Sequence, residues 1–95
     1  MAQYRRTFSP GQKKVSVANE VIDFWINDIT PTRNCDVQFL QIQTFAQPIR
    51  IKINHEETIH WIDANSEFTI SEIDVDKITI LDGGVEFYYT AMSVE

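Results

Sequence analysis

Between Pro48 and Asn54 the chain alternates strictly: Ile49, Ile51 and Ile53 are separated by Arg50 and Lys52. A period of two puts one apolar and one charged face on an extended segment, the signature of a half-buried strand. The run then continues to Ile80 as short apolar stretches broken by polar turns. Asn54-His55-Glu56-Glu57 and Ala64-Asn65-Ser66 interrupt it, Thr58–Asp63, Phe68 and Ile70 resume it, and Lys77–Leu81 closes it. Turn signals at this spacing predict an antiparallel sandwich or barrel. With 95 residues there is room for one small core, and oligomerisation would add to its stability.

The flanking segments extend the same pattern. Val37 and Phe39 lie on one parity and Leu40 and Ile42 on the other, so a strand over 36–45 needs a bulge near Phe39-Leu40, or two buried faces. Pro48 limits the next strand to a start or an edge. Asp82-Gly83-Gly84 predicts a tight hairpin turn into a last strand over 85–94, with Val85, Phe87, Tyr89 and Ala91 on one face and Tyr88 and Met92 on the other. Val15–Ile29 is two-sided. Ala18, Val21, Ile22, Trp25, Ile26 and Ile29 fit a helical stripe, and Ile22, Phe24 and Ile26 fit a strand. Its Val, Ile, Phe, Trp, Asn and Asp are mediocre helix formers, which favours the strand. Val21 and Trp25 would then share an outer face open to another subunit or covered by the N-terminal arm or a loop.

Charge divides the chain unevenly. Residues 1–34 carry Arg5, Arg6, Lys13, Lys14 and Arg33 against Glu20, Asp23 and Asp28, whereas the rest carries three basic and eleven acidic residues. An acidic body argues against a broad nucleic-acid surface. Residues 1–14 read as a basic arm ahead of a sandwich domain over 15–95, and its only large apolar groups, Tyr4 and Phe8, would be its anchors on a neighbouring subunit. The plainer reading of the arm is a frayed terminus. No run approaches the roughly 20 apolar residues of a membrane helix. Arg5 and Arg6 precede no apolar stretch of a secretory signal, so a cytosolic site of assembly is expected. The lone Cys35 excludes an internal disulfide and a cysteine zinc site, and reads as a small buried hydrophobe.

Catalytic patterns were tested residue by residue. His55-Glu56-Glu57-Thr58-Ile59-His60 resembles a zinc-protease helix, but its histidines are five apart instead of four and so lie about 140° apart on a helix. Glu72, Asp74 and Asp76 alternate as a carboxylate row that calcium would suit, yet an acidic row also protects a sheet edge. Asp82 and Glu86 are too ordinary a pair to indicate glycoside hydrolysis. No nucleophile elbow or phosphate loop is present, so no enzyme, cofactor or metal is expected. Trp25, Trp61, Tyr88 and Tyr89 could form a sugar-stacking platform, although Trp61 shares its parity with Ile59 and fits a core or interface more simply.

The segments P-I-R-I-K-I-N, I-H-W-I-D-A-N-S-E-F-T-I, I-D-V-D-K-I-T-I-L-D and V-E-F-Y-Y-T together resemble small all-β structural proteins of tailed-phage virions over about residues 37–92. The shared positions are Ile49, Ile51, Ile53, Ala64, Asn65, Phe68, Ile70, Ile73, Val75, Ile78 and Ile80. The resemblance implies a multi-copy, non-catalytic head or tail component and carries no functional residues with it. The expectation is an all-β, jelly-roll-like antiparallel sandwich that assembles with itself and with other virion subunits. Its contacts would be Tyr4, Arg5, Arg6, Phe8, Trp25 and Tyr88. The alternative is a carbohydrate-binding module for host recognition, with a glycan as partner.

Overall fold

The computed structural model describes residues 4–24, 36–71 and 73–94, and among them there is no helix. The strands are β1 (Tyr4–Phe8), β2 (Lys14–Val15), β3 (Glu20–Asp23), β4 (Asp36–Thr44), β5 (Ile49–Ile53), β6 (His60–Ile62), β7 (Glu67–Ser71), β8 (Lys77–Ile80) and β9 (Glu86–Val94). They form two antiparallel sheets packed as a small β-sandwich. One has the order β1-β9-β4-β7, with β2 also on β9, and the other the order β3-β8-β5-β6. The pairings are nested. β5 and β6 form a hairpin, β4 pairs with β7, β3 with β8, and β1 with β9.

Register explains the core. Ile49 faces Ile62, Ile51 faces Ile80, and Ile53 faces Ile78, and all six are buried. In the other sheet Leu40 lies opposite both Ala91 and Ile70, and Ile42 opposite both Tyr89 and Phe68. Branched side chains directly opposite one another pack well on a pleated surface. The two inner faces meet with Leu40, Ile42, Ile49, Ile51, Ile78, Ile80, Phe87 and Ala91 fully excluded from solvent.

The expected bulge is present. The pairing of β4 with β9 shifts between Val37 and Phe39, so one extra residue resets the parity and both Val37 and Leu40 turn inward. Over 20–23 the strand reading of the two-sided segment holds, with Ile22 and Phe24 buried as strand alternation requires. The strand starts later than expected, because a turn at Ala18-Asn19 (φ 62° at Asn19) separates it from β2, and the rest of the segment, 25–29, lies outside the described residues. Trp25 and Cys35 lie outside the described residues.

Two expectations are corrected. Within the expected arm of residues 1–14, residues 4–14 do not extend away from the body: β1 pairs with the end of β9, and β2 with its beginning. Arg5 and Arg6 lend the segment the composition of a tail, but the pairing uses backbone groups, on which composition is silent. The second correction concerns Asp82-Gly83-Gly84. Gly84 does take a positive φ of 72°, yet the turn is not a hairpin, because β8 and β9 belong to different sheets. The chain crosses the open end of the sandwich there. A Cβ on Gly83 would stand 3.0 Å from the Ala18 backbone nitrogen, so a larger residue at the crossing would have to push the β2–β3 turn back by a few tenths of an ångström.

Buried Ser16 clasps that crossing. Its N–H donates to Val85 O (2.8 Å), its O accepts from Gly84 N–H (2.8 Å), and its hydroxyl donates to Asp82 O (2.6 Å) and accepts from Val85 N–H (3.1 Å). Thr44 does the same for the crossing from β6 to β7: its N–H donates to Ser66 O (2.9 Å) and its hydroxyl accepts Ser66 N–H (2.9 Å). Both side chains supply partners that backbone groups need where the ladders stop.

In urea denaturation, Phe87→Ala is expected to lose about 3–5 kcal/mol of stability. Ser16→Ala is expected to lose about 1–3 kcal/mol, since Val85 N–H is left without its side-chain acceptor. A loss below about 1 kcal/mol for Phe87→Ala would show that β9 does not hold the centre of its sheet.

Candidate functional site

The alternation that sends Ile49 and Ile51 inward sends Arg50 outward, and antiparallel register sets it opposite Trp61 on β6. The Arg50 guanidinium carbon lies 5.4 Å from the Trp61 ring centroid, a cation–π contact. Trp61 is 69% exposed. Of the two placements expected, core or interface, this rules out the core: β6 is an edge strand, and on its outer face no element covers the indole among the described residues.

Asp82 fixes the arginine. Leu81 N–H donates to Arg50 O (2.9 Å), carrying the β5–β8 pairing one residue further and bringing Asp82 alongside. Arg50 Nη2 donates to Asp82 Oδ1 (2.7 Å), Nε is shared between Oδ1 and Oδ2 (3.1 and 3.2 Å), and Arg50 N–H donates to Oδ2 (2.9 Å). The fork-to-fork geometry is stronger and more directional than a lysine pair would be. Hydrogen bonding from Arg50 holds the Asp82 carboxyl below the usual carboxylate range, against a smaller opposing effect of burial. The same bond, with the attraction of the carboxylate, pushes the Arg50 guanidinium up. Beside this pair opens a cleft of about 540 Å³, bordered by Gln47, Pro48, Arg50, Trp61, Asp82 and Gly83.

A second exposed group spans the turn from β2 of the larger sheet to β3, the opposite edge strand of the smaller one. Val15, Val17 and Val21 are 59%, 65% and 52% exposed and flank the β2–β3 turn. Glu20 braces that turn through its carboxylate, which accepts Val17 N–H (3.0 Å) and pairs with Lys14 (2.6 Å).

The residues expected from sequence are placed as follows. Tyr4, Arg5, Arg6 and Phe8 fall on β1, an edge strand of the larger sheet. Tyr88 is half-buried on the outer face of that sheet, opposite Gln43, with its hydroxyl 3.3 Å from Ser9 Oγ. The contact joins β9 to the segment after β1, so these five positions belong to one sheet. Trp25 lies outside the described residues. The four-membered aromatic platform is not assembled. Tyr89 turns inward, edge-on to Phe24 (5.9 Å between centroids) and stacked on Phe87 (6.3 Å), and burial pushes its phenol up. Trp61 and Tyr88 occupy different sheets.

His55 sits in the exposed turn after β5, and His60 begins β6 with its ring 5.5 Å from Phe68. Asp74 accepts from Gln38 Nε2 (2.8 Å), and Asn54 brackets the chain by donating to Asp74 O (2.9 Å) and accepting from Asp76 N–H (2.7 Å). Glu72, third in the expected carboxylate row, lies outside the described residues. Among the described residues no group of three or more His, Cys, Asp or Glu side chains could hold a metal ion. The Arg50–Trp61–Asp82 cluster was missed in the sequence. Pairing 49–53 with 58–62 as a hairpin would have set Arg50 against Trp61, whereas Asp82 reaches them through a crossing that residue spacing does not display. Compared with known proteins, the chain matches no family model, no curated protein and no solved structure.

Because the folded Asp82 carboxyl is depressed, its contribution to stability is present above its unfolded value and is lost as pH falls below about 4. Asp82→Asn is expected to flatten that acid limb in urea midpoints measured against pH. On the alkaline side, the raised Tyr89 phenol contributes stability that disappears as pH climbs above about 10, and Tyr89→Phe removes that limb. An unchanged acid limb in Asp82→Asn would show that the pair does not report on folding.

Proposed function

We propose that the protein is a non-catalytic structural component of a tailed-phage virion, which oligomerises and attaches to capsid, neck or tail. The nested pairing of first strand with last, converging on a central hairpin, supports reading the sandwich as a jelly roll, a winding that viral capsid domains use. Winding alone does not define a role. The observation that carries the reading is the exposed Val15, Val17 and Val21 at one corner. An apolar group on a small domain, beside an edge strand, is the surface that association covers. Edge strand β1, with Tyr4, Arg5, Arg6 and Phe8, is the second contact we assign to neighbouring subunits, and Tyr88 stands on the same sheet.

Removing residues 1–14 is a poor test, because it strips β1 and half of β2 from β9. Val17→Asp combined with Val21→Asp leaves the ladders intact and is expected to cost no more than about 0.5 kcal/mol of stability per site. Light scattering should show the full-length protein as a defined oligomer and the double variant as a smaller species, and the variant should fail to enter particles. Normal incorporation of the double variant would remove this corner from the assembly. A wild-type protein that neither oligomerises nor enters particles would overturn the reading.

A further inference from the structure

We infer that the cleft beside Trp61 binds a neutral sugar ring, with the indole as stacking surface and Arg50 and Gln47 as hydrogen-bonding partners. Three observations converge. The first is preorganisation. Trp61 is mostly exposed, yet it rests against the guanidinium beside it, and that guanidinium is fixed by three side-chain contacts to Asp82, whose carboxylate also accepts the Arg50 backbone N–H. A ring held in this way loses little side-chain freedom when a ligand arrives.

The second is the chemistry of the lining. A pyranose has an apolar face of C–H groups and a rim of hydroxyls that both donate and accept. The cleft offers a flat aromatic and Pro48 to the face, and to the rim it offers the Gln47 amide and the arginine N–H groups not engaged by Asp82. Its volume of about 540 Å³ lies within the range of small-molecule sites.

The third is charge. Each Asp82 oxygen already accepts two hydrogen bonds from Arg50, so the carboxylate is occupied and the pair is neutral in sum. A ligand bearing a phosphate or a carboxylate would find no net positive charge, and an ammonium group no free carboxylate. An uncharged polyol fits. The stacking residue Trp61 is on β6 and Val21 on β3, at opposite edges of the sheet, so substitutions at Trp61 and at Val21 separate sugar binding from assembly.

The test is a titration of the full-length protein, followed by NMR at the Trp61 indole N–H and the Arg50 Nε–H. The ligands are glucose, galactose, mannose, N-acetylglucosamine and N-acetylgalactosamine, their disaccharides, and glucuronate and glucose 6-phosphate as charged counterparts. At least one neutral sugar should shift both resonances saturably, with a Kd in the millimolar range or tighter. Trp61→Ala should weaken binding about tenfold or more without lowering Tm, and Trp61→Phe should restore most of it. No saturable shift with any neutral sugar, or equal affinity in Trp61→Ala, overturns the inference. Tighter binding of the charged counterparts also overturns it, as the ligand would then be an anion.

Discussion

Two apolar faces pressed together hold this molecule, and each exists only because its strands keep one register. Ile49, Ile51 and Ile53 meet Ile62, Ile80 and Ile78 within one sheet, and the layer they form is closed by Leu40, Ile42, Phe87 and Ala91 of the other. A slip of one residue in β5 would turn three isoleucines to water and bring Arg50 and Lys52 into the core. The penalty for burying those charges fixes the register more firmly than any single contact. The same rule builds the surface, since Arg50 can meet Trp61 only while Ile49 and Ile51 face inward.

How much of this was legible depended on whether the information was local. Alternation is local, so the strands over 36–44, 49–53, 60–62, 67–71, 77–80 and 86–94 were foreseen to within a few residues, as was the bulge that lets both Val37 and Leu40 point inward. Pairing partners are not local. The N-terminal segment looked like an arm because Arg5, Arg6, Lys13 and Lys14 dominate its composition, while its place on β9 rests on backbone hydrogen bonds. Gly83 and Gly84 marked a turn correctly, but glycine reports the local backbone and not whether the chain returns to the same sheet.

The surface site shows the same division. Trp61 shared parity with Ile59 and so fitted a core or an interface. Ile59 is itself 42% exposed, and β6 lies at an edge where the outer face is uncovered. Parity tells which residues share a face, and only the stacking of sheets tells which face is inside. Tyr88 and Tyr89, adjacent in sequence, end on opposite faces of β9, one touching Ser9 and the other Phe24. That separation was legible from alternation. The meeting of Asp82 with Arg50 was not, because it is made by a crossing between sheets.

The nesting of the strand pairs also orders events in time. The β5–β6 hairpin closes over a short loop, whereas β1 and β2 can pair only once β9 exists, with nearly the whole chain as the intervening loop. Such topologies fold slowly, because the entropy of closing distant segments is spent before their contacts form. A ribosome making this chain releases the first strand long before its partner. Until β9 emerges, β4 and β7 can pair but lack it, and the larger sheet has an open edge during the interval when nascent chains are crowded together. That interval is when strands of different molecules are most able to exchange.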